Sequence, residues 1–174
     1  MNKFQKLVAR IERSNKTFKN ASPAKKIVMV AQDVLGLLDL KRISPIKGYY
    51  VDLYDDDRLS KFKDLSEYLK LPRIPACRVC AIGAGMVAAT IRLNNVPASD
   101  TYIAFWDNEN AMSNQTMSVF PIPLLRSMEG AFEHQFYGYE QNNEGRLRAI
   151  YENLIENKGK KFTEYHTGKV VWKA

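Results

Sequence analysis

Cys77-Arg78-Val79-Cys80 is the stretch whose residue types could do redox chemistry. Two thiols at i, i+3 near a helix N-terminus share a face. The helix dipole and Arg78 would both lower the Cys77 pKa toward a reactive thiolate. That is the layout of a dithiol site in a thiol-dependent enzyme. No flanking βαβ pattern of a thioredoxin-like domain accompanies it, and Cys80 sits in an apolar run. Structural, buried thiols are the preferred reading, with catalysis through Cys77 and Cys80 as the alternative. Other catalytic signatures are missing: the sequence has no G-x-S-x-G, H-E-x-x-H, P-loop or G-x-G-x-x-G. His134 and His166 are too far apart to complete a compact zinc finger. The acidic knot of Asp52, Asp55, Asp56 and Asp57 lacks the alternation, Gly and closing Glu of a calcium loop. No cofactor or metal is expected, and the balance falls toward a binding protein over an enzyme.

A nucleotide-like ligand needs an aromatic face, an amide to read a base edge and an arginine to meet a phosphate. Those types occur in Tyr49, Tyr50 and Arg78. They recur in the polar, aromatic loop with Phe105, Trp106, Asn108 and Asn110, and on the flank of the last helix with Arg146 and Asn153. A pocket joining the three groups is the expected ligand site. Glu129 and Arg146 are expected to pair between two helices. A second candidate is electrostatic. The 174-residue chain carries a net charge of +7, and residues 1–26, with eight basic side chains and one acid, account for all of it. Within them Lys3, Lys6, Arg10 and Arg13 recur at i, i+3, i+7 and i+10. That stripe would meet the phosphates of a nucleic acid or simply face water.

The elements that position these residues follow from periodicity. Val79 to Ile91 has Thr90 as its one polar side chain, so a helix over about 76–94 must be buried on all sides. The run is shorter than the 20 or so residues that span a membrane, and the first 20 residues lack the apolar core of a signal peptide. Residues 2–17 read as an amphipathic helix with Phe4, Leu7, Val8 and Ile11 on one stripe, and residues 1–21 as a basic arm on a single domain of 1–174. Ser22-Pro23 caps a second helix ending near Leu40. A β-hairpin is expected from Arg42 to Pro45 and Tyr49 to Leu53, turning at Lys47-Gly48. Further helices are expected at 58–70, 121–135 and 143–157, with Gly159 as the last stop, a short strand at 102–106 and a terminal strand in 169–172. The predicted fold class is mainly α (α+β): a compact helical domain around the buried helix.

Cys77-Arg78-Val79-Cys80-Ala81-Ile82-Gly83-Ala84 resembles the C-x-V-C-A-x-G-A motif of a group of small, uncharacterised bacteriophage proteins. Ala31-Gln32-Asp33-Val34, Gly48-Tyr49-Tyr50, Glu129-Gly130-Ala131-Phe132-Glu133 and the helix containing Arg146 to Asn157 are similar in the same order. The resemblance covers roughly residues 27–159 and implies a phage origin, not an activity. The expected function is a phage accessory protein in the host cytoplasm, in counter-defence. It would sequester a small anionic ligand such as a nucleotide signal, or engage a host protein. Nucleic-acid binding through the basic helix is the alternative. No membrane is expected as a partner, and a homo-oligomer is compatible with this reading.

Overall fold

The structure, a computed structural model, describes residues 1–53, 57–94, 96–97 and 110–174. Seven α-helices and five short strands are found among these residues. The helices are α1 (Lys3–Lys19), α2 (Pro23–Asp39), α3 (Leu65–Leu69), α4 (Ala81–Leu93), α5 (Ala111–Met117), α6 (Ile122–Glu133) and α7 (Asn143–Glu156). The strands are β1 (Ile43–Pro45), β2 (Val51–Asp52), β3 (Cys77–Val79), β4 (Lys161–Thr163) and β5 (Val170–Lys173). This is the mainly helical α+β architecture the periodicity predicts. No described helix is long and apolar enough to cross a membrane.

Every residue of α4 from Ala81 to Arg92 is buried, and α2, α3, α5 and α6 pack around it. Its small residues are what permit this. A Cβ on Gly83 would lie 1.4 Å from the Tyr50 carbonyl oxygen, and one on Gly85 would lie 2.9 Å from the Tyr151 hydroxyl. That hydroxyl donates to the Ala81 carbonyl at 2.5 Å. The helix starts later than predicted. Cys77 to Val79 is a strand, and Cys80 is the N-cap, its sulfur accepting from the Gly83 N–H at 3.4 Å. A β-branched residue and a thiol cap outweigh helical continuation here.

The expected hairpin of residues 42–53 is also corrected. β1 and β2 do not pair with each other. β3 lies between them, parallel to β1 (Ile43 opposite Cys77) and antiparallel to β2 (Val51 opposite Val79). A hairpin joins instead β4 and β5, where Phe162 faces Trp172. The helix expected over 58–70 breaks in two. Residues Leu59–Lys61 form a 3-10 turn, Phe62 is extended, and Asp64 caps α3 by accepting from the Ser66 N–H at 2.8 Å. The helix starts and stops at 22–23 and 159 stand as predicted: Ser22 caps α2, and Gly159, at φ +67°, donates its N–H back to Leu154.

α1 packs on α2 and α4 through Phe4, Leu7, Ile11 and Phe18. A buried ion pair fastens the three helices. Arg92 meets Asp33 at 2.7 Å and donates to Ser14 Oγ at 2.9 Å and Asn15 Oδ1 at 3.1 Å.

Candidate functional site

Three of the predicted ligand residues come together. Asp52 and Arg78 are opposite one another across β2 and β3 and form an ion pair. The Arg78 guanidinium carbon lies 5.6 Å from the centroid of the exposed Tyr49 ring. The Tyr50 hydroxyl donates to Glu129 Oε1 at 2.8 Å. Tyr49 and Tyr50 line a cavity of about 270 Å³ with Cys80, Glu129, Glu133 and His134. Glu133 accepts the Gly48 N–H at 3.1 and 3.3 Å, and burial raises its pKa. Two carboxylates in a small cavity oppose an anion, so this is not phosphate chemistry.

Arg146 and Asn153 are committed to the interior instead. Arg146 is 2% exposed and donates to the carbonyls of Tyr139 (2.9 Å), Phe132 (3.1 Å) and Gln141 (2.5 Å). It closes the C-terminal end of α6 and the turn that follows, and it does not form the expected pair with Glu129. Asn153 accepts from the Thr163 N–H and donates to Thr163 Oγ1, which ties α7 to β4. Asn110 is buried as the N-cap of α5, accepting from the Ser113 N–H at 3.0 Å. Phe105, Trp106 and Asn108, and the strand expected at 102–106, lie outside the described residues.

The thiols do not have the electrostatics of a dithiol site. Cys77 is on β3, not on a helix. Burial pushes the Cys77 and Cys80 thiols up to about 12, although Arg42 near Cys77 and the Gly83 N–H at Cys80 pull the other way. Each is 2% exposed. A thiol this far above neutrality is almost wholly protonated and a poor nucleophile. Among the described residues no group of three His, Cys, Asp or Glu is placed to hold a metal.

A larger concave site lies at the opposite end of β1 and β3, with Lys3 of the helical stripe at one edge. α1 begins at Lys3, with Asn2 and Gln5 forming a reciprocal capping box. α2 ends beside it. There Lys41 takes φ +56° and returns its N–H to Leu38, which turns the chain toward Arg42. Arg42 reaches across to the segment after α3. It donates to the carbonyls of Leu71 at 2.9 Å and of Leu69 and Pro72 at 3.2 Å. Its guanidinium carbon is 3.9 Å from the centroid of the Phe4 ring. This latch holds the wall from Pro72 to Pro75 against α1 and leaves a cleft of about 630 Å³.

Lys3, Lys41, Arg42, Arg58 and Arg73 line the cleft, and among the described residues no carboxylate does. Lys41 pairs with Glu144 on α7 at 3.0 Å. Leu40, Ile74 and the prolines add an apolar side. Among the described lining residues there is no histidine, hydroxyl or thiol. The helical stripe behaves differently along its length. Lys3 faces the cleft, Lys6 and Arg13 are exposed on α1, and Arg10 leans on Asp33 at 3.7 Å. The remaining cleft cations come from separate segments and carry no common spacing. The signals that pointed to them were weak: Lys41-Arg42 just past a helix end, and Arg73 between two prolines.

Comparison with protein families, characterised proteins and solved structures finds no match to this chain.

Proposed function

We propose that the protein is a non-enzymatic binding protein that captures a small, phosphate-bearing anion in the cleft between the start of α1 and the Pro72–Pro75 wall. One observation carries this reading: five basic side chains from four chain segments converge on one cleft, with no carboxylate among its described lining residues. Convergence from separate segments fixes charges in space, as a ligand with clustered negative charge requires. In the phage setting that the resemblance implies, capture in the host cytoplasm would withdraw an anionic signal from the host.

A nucleic acid is the second reading, because Lys3 joins the cleft to the exposed Lys6 and Arg13 of α1. The two readings part on salt. A polymer meeting several phosphates loses affinity steeply as salt rises, and a compact anion loses less.

Calorimetric titration with inorganic tripolyphosphate at physiological salt tests the proposal. Saturable one-to-one binding is expected. Lys3→Glu with Arg73→Glu should weaken it by about a hundredfold, since one charge-assisted contact is worth about tenfold. No heat with the wild type, or undiminished binding by the double variant, overturns it.

A further inference from the structure

The Arg42 guanidinium is fixed more firmly than any phosphate-seeking arginine needs to be. One face lies on the Phe4 ring at 3.9 Å. Its terminal nitrogens donate to the carbonyls of Leu69, Leu71 and Pro72. Those three bonds set the orientation of the plane and occupy donors that would otherwise chelate a phosphate. Arg42 nevertheless lines the cleft. What remains to offer is the flat face turned away from Phe4.

We propose that this face of Arg42 is a stacking platform for a nucleobase, so that the captured anion is a nucleotide and not a bare phosphate or a sugar phosphate. The inference rests on the anion-binding reading of the cleft and names the ligand class. Guanidinium planes stack on aromatic rings and on bases, whereas a lysine ammonium has no plane to present. Phe4 is 5% exposed and cannot take the base itself. It serves as the backing layer in a sandwich of Phe4 ring, guanidinium and base. Lys3 and Arg73 then meet the phosphates from the rim, while Ile74 lies along the apolar side. A cleft of this volume lies in the range of small-molecule sites.

The test compares ligands of matched charge on the intact wild-type protein. Adenosine triphosphate is titrated against tripolyphosphate, and adenosine monophosphate against ribose 5-phosphate. In each pair the base should raise affinity by about tenfold or more. Arg42→Lys, which keeps the charge and removes the plane, should cost the base-bearing ligand of each pair about tenfold more than its base-free partner. Tripolyphosphate binding with no gain from the base overturns the inference and leaves the anion site standing. Equal losses for both ligands in Arg42→Lys also overturn it, since Arg42 would then act only as the latch that shapes the cleft. Absence of binding by every probe overturns the anion site and this inference with it. If circular dichroism shows Arg42→Lys unfolded, the two wild-type comparisons decide the matter by themselves.

Discussion

The interior and the cleft employ cationic side chains in opposite ways. In the interior Arg92 and Arg146 are 3% and 2% exposed. Arg92 is closed off by Asp33, Ser14 and Asn15, and Arg146 by three carbonyls. In the cleft Arg73 and Lys3 stand exposed, with no ion pair to a described residue. A charge removed from water must find a complete set of partners or cost several kcal/mol. A charge on a rim keeps its hydration and can exchange that hydration for a ligand. The lesson concerns what a cation in a sequence means. Arg146 has the residue type expected of a ligand contact, yet it works as a clasp for α6. Arg73, in a proline-bounded connector, is available to a partner.

That contrast can be broken most forcefully in the interior. Arg92→Ala should destabilise the protein by about 3–5 kcal/mol, because it leaves Asp33 buried without its main counter-charge. Urea unfolding would measure this, and a loss under 1 kcal/mol would show that the interior is not sealed. Alkaline pH probes the same sealing through the thiols. Their folded values are raised to about 12 from an ordinary 9.0. The folded state therefore holds two protons that the unfolded chain releases. Stability should fall as pH climbs from 9 toward 12, with a slope approaching about 2.7 kcal/mol per pH unit for the pair. Tyr139 and Tyr151, also raised by burial, add to the slope above pH 10. Melts between pH 9 and 10 should show a shallower slope in a Cys77→Ala, Cys80→Ala variant than in the wild type. An equal slope would place the thiols in contact with water. Ala84→Leu inside α4 should overpack the core at a cost of about 1–3 kcal/mol, read from the urea midpoint. At the other extreme, Lys3→Glu with Arg73→Glu should change stability by no more than about 0.5 kcal/mol. A larger loss would make the cleft cations structural, and the contrast would vanish.

The framework was legible where local rules are strong. Ser22-Pro23, Gly159 and the stripe of Phe4, Leu7 and Ile11 marked helix ends and a buried face without tertiary information. The all-apolar run gave α4 its place in the core. Strand pairing was not legible, because β1 and β2 are short and the partner of each arrives about 30 residues later in Cys77 to Val79. The same error hid the thiols' environment. A helix would have offered Cys77 a favourable dipole, whereas a central strand surrounds it with apolar side chains. The ligand residues were chosen by type, and type does not reveal commitment. Tyr50 is engaged by Glu129, Asn153 by Thr163 and Arg146 by carbonyls. Lys3 was found through the helical stripe. Lys41, Arg42, Arg58 and Arg73 were missed because the chain brings them together from connectors with no period.

The central claim is that the cleft, and neither the Tyr49 cavity nor the outer face of α1, receives the anion. An amide NMR titration of the full chain with tripolyphosphate tests it most directly. The account predicts shifts concentrated at Asn2 to Phe4, Leu40 to Arg42, and Arg73 and Ile74. Shifts confined to Lys6 through Arg13, or to Tyr49, Tyr50 and Arg78, would contradict it.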